Sequence, residues 1–152
     1  NDNLFDHVNI DKANTHVPNG HANDLEEEAV RYESFIQSLG GIDLQLLGIG
    51  HNGHIGFNES TDNFPATVHT VQLTESTINA NSRLFERRED VPTQAITMGI
   101  GTIMKAKKIL LIAGPDKAEI VEKACFGKVT PEVPASVLQL RPDVTVILSA
   151  EK

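Results

Sequence analysis

Short apolar segments that alternate with helical segments limit the fold of this sequence more than any other feature. The strongest of them is residues 109–113 (ILLIA), followed at once by Gly-Pro and then by helical spacing. Residues 42–49 (IDLQLLGI) and 144–148 (VTVIL) have the same character, and the second half of residues 42–49 is apolar at every side chain. Such runs predict strands buried on both faces. Their alternation with helices predicts an α/β fold with a mostly parallel sheet.

The segments between these runs predict helices and one more strand. Residues 24–39 repeat apolar side chains at alternating spacings of four and three, which predicts a helix. Asn23 or Asp24 can cap its N-terminus, and Gly40-Gly41 ends it. A strand over residues 95–100 is expected to join the same sheet. The other predicted helices cover residues 75–84 with Thr74 as cap, residues 116–124, and residues 134–140 beginning at Pro134.

Size and charge exclude several functional classes. A chain of 152 residues predicts one domain. A net charge of −8 argues against nucleic acid as a partner, because phosphate backbones require a basic face. Apolar runs stay too short for a membrane span, no leader is visible, and Cys125 is the single cysteine, expected in the core. The sequence therefore predicts a cytoplasmic protein without a membrane partner, and it leaves homo-oligomers open.

Residues 48–59 (GIGHNGHIGFNE) hold the densest set of chemically active side chains. In a parallel sheet this segment follows a strand carboxyl end, where ligand sites form. His54 can transfer protons near neutral pH, Glu59 can orient or charge-stabilise its imidazole, and Asn52 offers a neutral hydrogen bond. Glycine lets the backbone approach a ligand closely. The substrate-loop candidates are Gly48, Gly50, Gly53 and Gly56.

Two simpler interpretations of this segment stay open. Glycine-rich polar turns are often plain surface loops. The spacing of His51 and His54, with Glu59 and His69 downstream, also suggests zinc. However, Asn52 and Gly53 between the histidines do not favour the helix on which zinc-binding histidine pairs usually lie. The prediction is therefore an acid/base site without a metal.

Two cations follow other strands or helices. Lys117 comes directly after residues 109–113, where a helix begins, and Arg83 ends a predicted helix. A lysine at such a junction suits a phosphate group. Residues 99–102 (GIGT) form another strand-to-helix turn of this kind. Taken singly, both cations are also ordinary surface charges.

The motif of residues 47–59 (LGIGHNGHIGFNE) closely resembles the signature of the glucosamine-6-phosphate deaminase family. Further matching segments follow in order over essentially the whole chain: residues 5–8 (FDHV), 80–83 (ANSR), 98–103 (MGIGTI), 114–118 (GPDKA) and 136–140 (SVLQL). The related 6-phosphogluconolactonases share a Gly-His run but not the Phe-Asn-Glu ending, so they are the weaker match. The resemblance implies a Rossmann-like sheet flanked by helices.

The resemblance also implies a reaction and residue roles. The family converts glucosamine 6-phosphate and water into fructose 6-phosphate and ammonia, with no metal and no organic cofactor. The resemblance thus implies a hydrolase of amino sugar breakdown. His54 would open the sugar ring as acid and base, paired with the Glu59 carboxylate. Arg83 and Lys117 would hold the phosphate of the sugar-phosphate substrate.

Three positions depart from the family pattern. Asn52 replaces an aspartate found in some members, so Glu59 alone would stabilise a charged imidazole. Ser60 stands where a proline is usual. His69 stands where members regulated by N-acetylglucosamine 6-phosphate carry an arginine, so that regulation is not expected.

Two family motifs are missing from the sequence. One is a Gly/Thr-rich phosphate loop after the first strand. The other is an Asp-Glu-Tyr segment whose aspartate moves the proton between C2 and C1. The chain is therefore expected to be the C-terminal part of a deaminase domain, truncated on its N-terminal side and inactive alone. Two alternatives stay open: a phosphogluconolactonase-like hydrolase, and the non-catalytic sugar-phosphate sensor of a transcription regulator.

Overall fold

The computed structural model describes residues 3–150, apart from the side chains of Ser76, Ala80 and Asn81. In this part of the chain the helices are α1 (Leu25–Ser38), α2 (Glu75–Asn81), α3 (Ile100–Met104) and α4 (Ala118–Phe126). The strands are β1 (Leu44–Leu47), β2 (His69–Gln72), β3 (Gln94–Thr97), β4 (Lys108–Ala113) and β5 (Val144–Leu148). Short 3-10 helices lie between them, the longest being Pro134–Leu140. No helix within residues 3–150 is both long and apolar enough to cross a membrane.

A three-stranded parallel sheet forms the centre of the fold. Its order is β1-β4-β5, with Leu44 opposite Lys108 and Ile109 opposite Val144. The three apolar segments of the sequence supply all three strands. The predicted α/β fold with a parallel sheet is therefore confirmed.

The predicted helices form near their expected bounds. The Asp24 carboxylate caps α1 by accepting from the backbone N–H groups of Glu26 and Glu27, both at 3.0 Å. Gly40 and Gly41 follow that helix with φ of 85° and 89°, a conformation that side chains disfavour. The segment beginning at Pro134 forms as expected, although as a 3-10 helix.

The expectation for residues 95–100 is wrong in one respect. A strand forms there, but β3 pairs antiparallel with β2 in a separate two-stranded sheet and does not join the parallel sheet. The strand β2 was not predicted, because its sequence HTVQ carries one apolar side chain and no clear alternation. α1 packs against both strands of this small sheet.

The two faces of the parallel sheet differ. The face with Ile109, Leu111 and Ala113 is buried with Val121 and Ala124 of α4 in the main core. Cys125 packs at the edge of this core, as expected, and burial raises the pKa of its thiol.

The opposite face of the sheet is open. Leu44 and Leu46 of β1 are 59% and 60% exposed, and Ile112 of β4 is 46% exposed. β1 was expected to be buried on both faces in its second half, and that expectation is wrong, since Leu46 is exposed and only Leu47 is buried. An apolar pattern indicates which side chains favour burial, but it does not show whether another element of the chain packs over them.

Candidate functional site

The loop after β1 is fixed in place by the segment that follows β3. The side-chain amide of Asn58, only 2% exposed, donates to the carbonyls of Ile55 at 2.9 Å and Met98 at 2.8 Å. The backbone N–H of Phe57 donates to the hydroxyl of Thr97 at 3.1 Å. These bonds hold the end of the glycine-rich segment against β3, so the polar side chains before it have a defined backbone.

Glycines give this loop its close packing. A Cβ atom at Gly50 would lie 2.2 Å from the His54 imidazole, so the ring occupies the space beside that glycine. Gly53 has φ of +86°, and a Cβ there would lie 2.6 Å from Val133. Gly56 has φ of +59° and lies close to Thr97. In contrast, a Cβ at Gly48 would meet open space.

A hydrogen-bonded chain connects the three predicted acid/base residues. The Nδ1 atom of His54 lies 2.8 Å from Oδ1 of Asn52, and the Asn52 amide donates to Glu59 Oε2 at 2.6 Å. The Glu59 carboxylate also lies 3.4 Å from His54 Nδ1. We call His54, Asn52 and Glu59 the relay. The sequence predicted a paired histidine and glutamate, and the structure places the asparagine between them.

The relay fixes which imidazole nitrogen is available. An ionised carboxylate only accepts hydrogen bonds, so Asn52 must turn its NH₂ group toward Glu59 and its oxygen toward His54. That oxygen accepts the proton on His54 Nδ1, which leaves Nε2 without a proton in the neutral ring. His54 can therefore take up a proton at Nε2 and return it.

Lys117 lies in a second cluster at the start of α4. Its ammonium contacts Nε2 of His51 and lies 2.9 Å from the Asp116 carboxylate. The hydrogen bond from Lys117 is the main reason that the pKa of Asp116 is lowered below its usual range. We call Lys117, His51 and Asp116 the lysine cluster. The sequence indicates no role for His51 or Asp116 at the lysine, because residues 51 and 117 meet only in the folded chain.

One side chain of the relay, His54, and one of the lysine cluster, Lys117, line the same cleft. The cleft measures about 380 Å³ and is lined by Gly48, Ile49, Gly50, His54, Gly56 and Lys117. One imidazole and one ammonium thus face the same space at the carboxyl end of β1. A proton-transferring group and a cation in one cleft suit a ligand that carries both a hydroxyl group and an anion.

The other predicted residues are not brought into this cleft. Arg83 follows α2 in an exposed 3-10 turn and is not among the lining residues. His69 lies in β2, where its ring bonds the Thr67 carbonyl at 2.9 Å. Within residues 3–150, no group of three or more His, Cys, Asp or Glu side chains is arranged to hold a metal ion.

These features define an α/β protein with a histidine relay and a lysine in one cleft at the carboxyl end of a parallel strand. Residues 1–147 match the family described as glucosamine-6-phosphate isomerases/6-phosphogluconolactonase, and the chain belongs to that family. The family assignment made from the sequence motifs is confirmed.

Individual relatives are similar over nearly the whole chain. A glucosamine-6-phosphate deaminase of Lachnoclostridium phytofermentans is 65% identical over 151 residues, 99% of this chain and 64% of that protein. A glucosamine-6-phosphate deaminase of Clostridioides difficile is 57% identical over 148 residues, 97% of this chain and 59% of that protein. The chain thus spans about 60% of the length of these relatives. Their names give deamination as their reaction type and the family adds isomerisation, which corrects the expectation of a hydrolase.

Solved structures support the same fold. A structure described as a monomeric glucosamine-6-phosphate deaminase superimposes with a TM-score of 0.88 at 49% identity, covering 97% of this chain and 61% of that one. A 6-phosphogluconolactonase from Trypanosoma cruzi superimposes with a TM-score of 0.58 at 19% identity, covering 81% of this chain and 48% of that one. The second likeness concerns the fold alone.

Proposed function

We propose that this protein catalyses the isomerisation and deamination of glucosamine 6-phosphate to fructose 6-phosphate and ammonia. The observation that carries the proposal is that His54 and Lys117 line the same cleft, so that one ligand can contact both side chains. The similarity to named deaminases supports this substrate over a lactone, because they are 57% and 65% identical to the chain, against 19% for the T. cruzi lactonase.

In this proposal His54 opens the sugar ring. Its unprotonated Nε2 takes the proton of the C1 hydroxyl, and the same nitrogen then gives a proton to the ring oxygen as the C1–O bond breaks. Asn52 and Glu59 keep Nδ1 protonated and the ring oriented through both steps. Glu59 stabilises the imidazolium that forms in between, across the asparagine amide and at 3.4 Å directly.

Lys117 and Arg83 are proposed to hold the substrate phosphate. Lys117 already lies in the cleft with His54 and directly before α4, where the backbone N–H groups of a helix start favour an anion. Arg83 has an exposed side chain and would have to turn toward the bound phosphate. The glycines at positions 48, 50 and 56 would form the floor on which the sugar lies, whereas Gly53 is buried against Val133 and does not line the cleft.

The cleft lacks one component of the proposed reaction. Moving a proton between C2 and C1 requires a further base, and the lining residues of the cleft include no carboxylate. Asp116 is bound to Lys117, and Glu59 belongs to the relay. We propose that this chain forms the C-terminal part of a single deaminase domain in a cytoplasmic protein, with a sugar phosphate as its ligand and no cofactor.

The experiment compares two substrates with the complete enzyme. Purified protein is given glucosamine 6-phosphate, with ammonia release as the readout, and 6-phosphogluconolactone, with loss of the lactone as the readout. We expect ammonia release and no lactone hydrolysis above the uncatalysed rate. Lactone hydrolysis without ammonia release would refute the proposal in favour of the lactonase, and binding of the sugar phosphate without either reaction would favour a sensor.

A further inference from the structure

We propose that His51 is a positioning residue, which fixes the direction of the Lys117 ammonium toward the substrate phosphate. The inference rests on the proposed function, since it takes Lys117 as a phosphate ligand. His51 lies in the same loop as the relay but takes no part in it, because Nε2 of its ring contacts Lys117 and lies 3.5 Å from the Asp116 carboxylate.

The first argument is a count of donors. A lysine ammonium has three N–H groups. In the lysine cluster one is directed to Nε2 of His51 and another to Asp116 Oδ2 at 2.9 Å. Two fixed acceptors define the direction of the third N–H group. That third donor is the one left for a ligand in the cleft that Lys117 shares with His54.

The second argument concerns exposure. The Lys117 side chain is only 18% exposed, whereas those of His51 and Asp116 are 73% and 63% exposed. The two exposed groups thus hold the amino end of a mostly covered side chain. Without His51, the ammonium keeps Asp116 as its one partner in the cluster and can rotate about that contact. Asp116 is itself held close to the backbone, since a Cβ at Gly114 would lie 2.7 Å from its Oδ1.

The third argument separates positioning from catalysis. His51 and Asp116 line a neighbouring cleft of about 380 Å³, together with Glu119, Lys123 and Glu132. His51 is not among the residues that line the cleft of His54. It therefore acts on a ligand through Lys117 and not by contact. Because its role is that of a neutral acceptor, a glutamine carbonyl can replace it and an aliphatic side chain cannot.

The test uses two variants of the complete enzyme, with inorganic phosphate as a competitive inhibitor. His51→Leu removes the acceptor at similar bulk, and His51→Gln keeps a neutral acceptor. We expect His51→Leu to raise KM for glucosamine 6-phosphate and Ki for phosphate about two- to fivefold, a modest effect because the contact is exposed. We expect kcat to stay within about twofold, since ground state and transition state share the phosphate contact. His51→Gln should keep wild-type values.

A double-mutant cycle distinguishes this inference from the proposed function. In a Lys117→Met background, His51→Leu should have no further effect on Ki for phosphate. If Lys117→Met alone leaves Ki unchanged, the phosphate role of Lys117 in the proposed function is wrong. If Lys117→Met raises Ki but His51→Leu does not, or if His51→Leu and His51→Gln weaken binding equally, the positioning role is wrong. Should His51→Leu lower the temperature of unfolding, His51→Ala takes its place, because it removes the acceptor without adding apolar surface.

Discussion

The relay and the lysine cluster each contribute one side chain to the same cleft, His54 and Lys117, but they are built in different ways. The relay comes from a single loop. The side chains of His54 and Glu59 are 31% and 27% exposed, and Asn52 between them is exposed. The lysine cluster joins two distant segments, and two of its three side chains, His51 and Asp116, are exposed. A contiguous, closely packed loop predicts a rigid site whose geometry carries the chemistry. A cluster with exposed partners predicts a binding site whose side chains can adjust to the ligand, since each exposed ion pair contributes little free energy to holding them in place.

The largest expected effect concerns the chain by itself. Both parts of the site lie on these 152 residues, but no carboxylate lines the cleft to move the proton between C2 and C1. We expect no ammonia release from the isolated chain, and release when it is joined to, or mixed with, the remaining part of a complete deaminase. Substantial ammonia release by the isolated chain would mean that the chain itself contains this base, and would contradict the prediction.

The relay should control turnover. In the complete enzyme we expect His54→Gln to lower kcat by about 10²–10⁴-fold, the usual contribution of general acid–base catalysis. The matched control is His51→Gln, the same substitution three positions earlier in the same loop, which should leave kcat unchanged. Steady-state kinetics of ammonia release measure both. Equal kcat values for His54→Gln and wild type would remove His54 from the chemistry.

The packing of the relay can be tested without touching its polar groups. A methyl group at Gly50 would occupy the space of the His54 ring. We expect Gly50→Ala to displace the imidazole and lower kcat by about 10²-fold, the cost of misplacing a catalytic group by roughly 1 Å. Gly48→Ala is the control, because its added Cβ meets open space. If the two alanine variants behave alike, close packing at Gly50 does not position the ring.

The cations should affect binding more than turnover. We expect Arg83→Ala in the complete enzyme to raise KM about tenfold with little change in kcat, as for loss of a hydrogen bond to a charged group. Arg87→Ala serves as the control, since Arg87 pairs with Glu89 and Asp90 nearby along the chain. An unchanged KM for Arg83→Ala would show that Arg83 does not bind the substrate phosphate, and would leave Lys117 as its proposed ligand.

The smallest expected effect on turnover comes from Glu33, a buried residue of α1 that does not line the cleft. Its carboxylate accepts from Thr102 of α3 at 2.6 Å and from the Val68 backbone at 3.1 Å. Burial alone would raise the pKa of Glu33, but the hydrogen bonds from Thr102, Val68 and Gln37 outweigh it, so the pKa is lowered. A lowered pKa means that this stabilisation is present above the pKa of the unfolded chain and is lost as the pH falls through the folded value.

We therefore expect Glu33→Gln to reduce the free energy of unfolding near pH 7 by about 1–3 kcal/mol. The variant should also lose stability less steeply than wild type when acidified below the ordinary pKa of glutamate, about 4.3. Denaturant unfolding at several pH values measures both effects, with the exposed Glu119→Gln as control. Parallel pH profiles for Glu33→Gln and wild type would contradict the assignment.

The comparison also explains what sequence alone could predict. Some elements are determined by residues within one continuous segment, through apolar spacing, helix caps or glycines, and these could be predicted. They are the strands β4 and β5, the helix α1 and the relay loop. β2 and the antiparallel pairing of β3 depend on a partner strand more than twenty residues away, and HTVQ carries no local signal for it. Likewise, residues 52, 54 and 59 could be grouped from the sequence because they share one loop. The contact between His51 and Lys117 depends on two strands lying side by side.

The same pairing of β1 with β4 governs when the site forms during folding. Leu44 and Lys108 are neighbours in the sheet but 64 positions apart in the chain (108 minus 44). Ile109 and Val144 are separated by 35 positions (144 minus 109). Closing the longer loop loses more chain entropy, so β4 and β5 are expected to pair first and β1 to dock afterwards. The histidine loop leaves β1 and the lysine leaves β4, so the cleft is among the last parts of the chain to assemble.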